Sequence, residues 1–167
     1  MKKIILALCA LMVSFNIFAV RLESGSLAEL AKAGRANFEI DYSAASIHGM
    51  TETDFAEYEQ DWHKDQPQIM MKFISCFASV ANGKVILTKN GNNALTLRWV
   101  VLQILPNGTT LGELHLIGEN GEVLARIVEL EGKGGIFGTK LNLIKDGAKR
   151  SGQNAGIFLR NEIKKLQ

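Results

Sequence analysis

The sequence predicts an α+β domain: an antiparallel-rich sheet, an N-terminal helical segment, and a C-terminal helix packed on one sheet face. Three observations carry the prediction. The middle of the chain holds runs of apolar and polar residues with strand-like spacing. Asn107-Gly108 and Asn120-Gly121 divide those runs as turn residues do. Before and after this stretch the apolar spacing becomes helical, so helices flank a cluster of strands instead of alternating with them.

Taken in order, Arg21 to Gly34 reads as a spacer with a weak helical patch from Leu27 to Ala33. Ala36 to Tyr42 alternates like a half-buried strand, and whether it pairs parallel with a later strand is left open by the residues alone. Thr51, with Asp54 three residues on, marks a helix start: the hydroxyl accepts a free amide proton and the acid complements the positive helix end. Phe55, Tyr58 and Trp62 follow on one face. Pro67 lacks an amide proton and is expected to interrupt the helix. A second helix then carries Ile69, Met70, Phe73, Ile74, Phe77 and Val80 and closes at Asn82-Gly83.

Strands follow at Lys84 to Thr88, Ala94 to Leu105, Thr110 to Ile117 and Val123 to Leu130. Pro106-Asn107-Gly108 joins the second to the third. Asn120-Gly121 joins the last two, with both central residues expected at positive φ. From Asp146 a final helix places Ala148, Gly152, Ala155, Gly156, Leu159, Ile163 and Leu166 on one broad face. Its small residues at 148, 152 and 156 read as a seam that lets the helix lie close on the sheet. Lys149, Arg150, Arg160 and Lys164 make it unfit as a membrane span.

The N-terminus predicts export. Lys2 and Lys3 precede an uncharged apolar run from Ile4 to Phe18, and Ala19 stands before the charged Arg21 and Glu23, the layout of a secretory signal cut near Ala19. The run is shorter than the roughly 20 residues a permanent span needs. Cys9 follows Leu8 where a lipoprotein site wants a small residue, so no lipid anchor is expected there. The expected organisation is therefore a signal at 1–19, a spacer at 20–35 and one α+β domain at 36–167, exported to the periplasm or beyond the cell.

Removal of the signal changes the charge reading. The whole chain has 19 Lys and Arg against 17 Asp and Glu, and Lys2 and Lys3 account for the difference. A neutral mature chain gives no basic stripe for nucleic acid. Cys76 would be its single cysteine, which rules out an intramolecular disulfide and reads as a buried structural thiol.

Chemistry-bearing patterns are few. The loop Gly132-Lys133-Gly134-Gly135-Ile136-Phe137-Gly138 lies between a strand and a helix, where its amides suit an anion. Lys133, Gly134, Gly135, Gly138, Thr139 and Lys140 are the candidate ligand contacts. The loop departs from a P-loop, because Gly138-Thr139-Lys140 reverses the Lys-Thr order, and from a dinucleotide fingerprint, because Phe137 stands where a glycine is required. The plainer reading is that its glycines relieve crowding between strand and helix, with Phe137 as a hydrophobic plug. His63, between Asp61 and Asp65, is a second candidate for a metal or a general base, opposed by Lys64 and by the distance in sequence to His48 and His115. Tyr42 and Ser43, near His48, are a third, lining a cleft. Glu57 with Asp61, and Glu52 with Glu59, read as an exposed helix face. No nucleophile, metal or cofactor signature appears, so no catalytic residue, metal site or cofactor is assigned.

Several segments carry a resemblance. Phe38 to Ser43, Gly49 to Phe55, Tyr58 to Trp62 and above all Gly134 to Ala148, with Phe137-Gly138-Thr139-Lys140-Leu141-Asn142-Leu143-Ile144-Lys145-Asp146-Gly147-Ala148, resemble a family of uncharacterised exported proteins of Gram-negative bacteria. More distantly the layout is similar to the α/β envelope domains of the TolB N-terminal and penicillin-binding-protein-activator type. The first resemblance implies no activity. The second implies work through protein contacts, a fold-level analogy. The expectation is a non-catalytic module that binds another envelope protein, and the alternative is an anion binder or enzyme using the 132–138 loop.

Overall fold

The computed structural model describes residues 19–167. The elements run β1 (Arg21–Gly25), α1 (Ala28–Ala33), β2 (Arg35–Asp41), β3 (Ser46–Ile47), α2 (Glu52–Tyr58), α3 (Trp62–Ala81), β4 (Ile86–Thr88), β5 (Thr96–Ile104), β6 (Thr110–Ile117), β7 (Val123–Gly132) and α4 (Lys140–Leu166). The sheet has the order β1-β7-β6-β5-β2-β4, with β3 beside the end of β5. Strands β5, β6 and β7 form an antiparallel meander, and β1 adds antiparallel to β7. β2 runs parallel to both β4 and β5, with Asn37 opposite Thr96 and Asp41 opposite Val100. The fold is thus the α+β layer expected, with a mixed, mostly antiparallel sheet and α4 packed against it. The expected signal lies outside the described residues apart from Ala19.

Both meander turns are built alike. Gly108 donates to the Leu105 carbonyl and Gly121 to the Gly118 carbonyl, and each glycine has positive φ. Asn107 and Asn120 do not, so the expectation of two positive-φ residues at Asn120-Gly121 is corrected: one glycine closes a turn of the type that ends in a bulge.

The core lies between the sheet and the α3–α4 layer. Phe73 of α3 stacks on Phe38 of β2 at 4.5 Å and meets Trp99 of β5 at 4.9 Å between ring centroids. Leu97, Val101, Leu114, Leu116 and Ile127 complete the inward face of the meander, alternating with outward-facing residues as the pleat requires. On the outward face Glu39, Arg98, His115 and Arg126 stand side by side across four strands, the row mixing acids and bases.

Several expectations change. Residues 20–35 are not a spacer: β1 pairs with β7, and Leu27 and Leu30 are buried in the core. Their strand is short and rich in Ser and Gly, which hides its period from the sequence. Pro67 does not interrupt α3. It sits one turn and a half inside, and the carbonyl it leaves unbonded belongs to exposed His63, within reach of water. The break falls earlier, between Glu59 and Asp61. Asn82 in the left-handed region and Gly83 do close α3. α4 begins six residues before Asp146, capped by Thr139, whose side chain accepts from the Asn142 amide. The small-residue seam faces α3 as well as the sheet layer: a Cβ on Gly152 would lie 2.4 Å from the Phe73 carbonyl oxygen. Cys76 is half-buried, not buried, because it lies one residue before inward Phe77 on α3.

Candidate functional site

The glycine-rich loop, the start of α4 and the α2–α3 corner meet at one end of the molecule. Gly132 ends β7 so close to α4 that a Cβ there would lie 2.1 Å from the Gly147 carbonyl oxygen. Gly134 runs against the β5–β6 turn, where a Cβ would lie 1.9 Å from the Asn107 carbonyl oxygen, and its amide donates to the Thr109 hydroxyl at 3.1 Å. Gly135 lies against Asp146 and Leu143. The chain then swings outward, leaving Ile136 and Phe137 87% and 89% exposed, before Gly138 at φ +136° and the Thr139 cap return it to α4. The expectation of Phe137 as a plug is therefore corrected, whereas the expectation that glycines relieve crowding describes Gly132 and Gly134 well.

The six candidate contacts fare unequally. Gly134 spends its amide on Thr109, and Thr139 spends its hydroxyl on Asn142. Lys140 turns away from the loop: it pairs with Glu59 and lies over the Tyr58 ring, 4.4 Å from its centroid. The Glu59 hydrogen bond pushes the Lys140 ammonium up from its ordinary pKa, with Tyr58 adding to the effect. Lys133 is exposed and, among the described residues, has no carboxylate partner.

Beside this loop a groove of about 380 Å³ opens between α2–α3 and α4, floored by Phe55, Trp62 and Ile144 and edged by Glu59, Asp61, Asp65 and Lys140. Burial, followed by the charge of Asp61, pushes the Asp65 carboxyl up. Behind the groove Tyr42, His48, Phe55 and Trp62 form an edge-to-face aromatic cluster with 5.2 Å between successive ring centroids. The Trp62 indole and the Gln66 amide both donate to Glu52 at 2.9 Å. Glu52 and Glu59 are therefore fasteners of this corner and not simply an exposed helix face, while Glu57 is exposed. Burial, then Glu52, holds the Tyr42 hydroxyl well above the ordinary phenol range. Burial, then the charge of Lys140, pushes the His48 ring down.

The structure brings Tyr42 and His48 into one cluster, as the sequence suggested, but as packing partners: Ser43 is exposed, and the Tyr42 hydroxyl and His48 Nε2 are buried without a hydrogen-bond partner. The three histidines stay apart. His63 is exposed on α3, His48 packs on Phe55, and His115 bonds Glu113 on the outward sheet face at 3.0 Å. Among the described residues no three His, Cys, Asp or Glu side chains converge as a metal site would need. Sequence reasoning missed the outward-turned Ile136-Phe137 pair. The signal was present, since glycines on both sides of two large apolar residues leave them no rigid element to pack with.

No protein-family model matches the chain, and no curated protein matches it. Among solved structures it is similar to the PelC dodecamer of Paraburkholderia phytofirmans, at 14% identity and a TM-score of 0.44, over 81% of this chain and 97% of that one. A second PelC dodecamer from that organism, with one leucine-to-methionine substitution, is similar at 13% identity and the same TM-score, over 81% of this chain and 96% of that one. Similarity at this level establishes no shared activity.

Proposed function

We propose that the chain is an exported envelope protein that works without catalysis, by binding another protein through the tip of the 134–138 loop. One observation carries this reading: Ile136 and Phe137, adjacent and large, are almost fully exposed on a loop pinned at Gly134 by close backbone packing and followed at once by the Thr139 cap of α4. An apolar pair held out by a stiff base is the form of a contact anchor. The sequence features of a signal ending near Ala19, and the resemblance to envelope domains that act by contact, support the export and binding parts. Among the described residues no helix is long and apolar enough to cross a membrane.

The anion-binding alternative would depend on Lys133 and the loop amides. The Gly134 amide and the Lys140 ammonium already have internal partners, which argues against it. The test is a photo-crosslinking amino acid at position 137 in living cells, with one at exposed Glu57 as control, followed by mass spectrometry of the purified adduct and of the free chain. Adducts specific to position 137 on a chain beginning near residue 20 are expected. Equal labelling from both positions would remove the tip as a contact surface, and an intact N-terminus would remove signal cleavage.

A further inference from the structure

We infer that the partner of the tip is a second copy of this chain, and that two copies join about a two-fold axis with each Phe137 seated in a groove on the other's outward sheet face. The inference rests on the reading of the tip as a contact surface and adds what it contacts. That groove, about 290 Å³, is lined by the apolar Leu102, Leu111 and Val128 and by Glu129 and Glu131. Leu102 is 42% exposed, unusual for a leucine in mid-strand, and it forms part of the groove wall.

Three features match groove to tip. The floor is apolar and wide enough for an aromatic side chain, and the tip presents one. The unpaired charges are complementary: beside the tip Lys133 is exposed, whereas Lys140 pairs with Glu59. Of the four glutamates lining the groove, Glu23, Glu113 and Glu129 pair with Arg21 or Arg126, which leaves Glu131. Glu131 has no basic partner among the described residues, and neither has Lys133 an acidic one, so each lacks what the other copy supplies. Finally, tip and groove share one end of the sheet, since Gly134 is tied to Thr109 and Leu111 stands two residues further on. A donor and its receptor within one patch form a self-complementary surface, which a two-fold axis satisfies twice and closes. A bilayer is the less favoured occupant, because Glu59, Asp61 and Asp65 lie beside the tip and would face anionic headgroups.

The test uses the full chain with Cys9 and Cys76 replaced by serine. Ile136→Cys and Leu102→Cys variants are oxidised separately and as a mixture, and sedimentation velocity follows the wild type over a concentration series. The expected result is a disulfide-linked pair that forms chiefly in the mixture, and a monomer–dimer equilibrium in the wild type. Phe137→Ser, at a position too exposed to affect folding, should weaken the dimer roughly a hundredfold to ten-thousandfold, because the two-fold pair loses two buried aromatic side chains at about tenfold to a hundredfold each. Leu102→Glu should weaken it similarly from the groove side. A wild type that stays monomeric, or cross-links no richer in the mixture than in the separate samples, overturns the two-fold pair. If position 137 then captures a different protein in cells, the contact reading stands without the dimer. If it captures nothing, both fall.

Discussion

Replacing Gly152 by alanine sets two effects against each other, and the structure decides which prevails. Within an exposed helix the change would stabilise the protein by about 1 kcal/mol, because glycine forfeits more backbone entropy than alanine. Here the added Cβ would stand 2.4 Å from the Phe73 carbonyl oxygen and 3.1 Å from its Cα. The obstacle is main chain at the centre of α3, so it has no rotamer by which to yield. α3 or α4 must retreat by more than half an ångström to bring the contact to 3.0 Å. Phe73 would move with its backbone, and Phe73 is the ring that joins Phe38 to Trp99. Overpacking of this kind costs about 1–3 kcal/mol. After the helical gain, a net loss of about 0–2 kcal/mol remains, or a fall in Tm of up to roughly 8 °C for a chain of this size. Gly156→Ala should do less harm, since its Cβ would meet the Val80 Cγ2 methyl at 2.7 Å and the Phe77 carbonyl oxygen at 2.8 Å, a main-chain approach 0.4 Å looser than the one at Gly152. Thermal melts followed by far-UV dichroism, with the summed emission of Trp62 and Trp99 as a second probe, compare the two. A Gly152→Ala protein that melts above the wild type would refute the claim that the α3–α4 approach is as close as described.

Further consequences can be measured alongside it. Thr139→Ala removes the cap of α4 and should lower stability by about 1 kcal/mol, seen as a reduced urea midpoint; an unchanged midpoint would show that the Asn142 amide finds water instead. Gly134→Val drives a side chain into the Asn107 carbonyl, so it should loosen the β5–β6 turn, with faster hydrogen exchange at the Leu105 amide that bonds Thr109. That variant therefore reports on folding and not on ligand binding. The Glu113 side chain is only 12% exposed, and its hydrogen bonds from Arg126, then His115, hold its carboxyl below the ordinary 4.5. Its folded value is depressed, so its contribution is fully present above pH 4.5 and is lost as the pH falls through the folded value. The stability advantage of wild type over Glu113→Gln should shrink below pH 4.5, and an advantage that grew on acidification would contradict the pairing.

What could be read from the residues follows what determined each element. The meander was legible because its alternation and its Asn-Gly turns are local, and the Thr51 and Asn82-Gly83 helix ends are marked by side chains that act within one turn. Three features were decided by distant contacts. β1 exists because β7 offers an edge to Arg21–Gly25, and nothing within those five residues announces a partner a hundred positions away. Pro67 is tolerated where the carbonyl it orphans belongs to an exposed residue, His63, a matter of placement in the fold and not of local sequence. Glu52 and Glu59 look like solvated acids until the fold brings Trp62, Gln66 and Lys140 to them. The layer class was thus available early, while the corner that frames the candidate site was not.

The same constraint that explains the glycines explains the exposed pair. Gly132 and Gly134 are needed because β7, the β5–β6 turn and α4 converge with no room for a Cβ, as the 2.1 Å and 1.9 Å approaches show. With the loop's base held flat against that junction, the next residues have no direction left but outward, and α4 cannot begin until Thr139 supplies a cap. Polar residues would solvate such a bend at no penalty, yet positions 136 and 137 hold isoleucine and phenylalanine. Folding gains nothing from them there, since side chains almost fully in water bury no area. An apolar pair that contributes nothing to its own fold is what the proposed contact would use, and the acid-edged apolar groove on the outward sheet face is the receptor that the proposed dimer would supply.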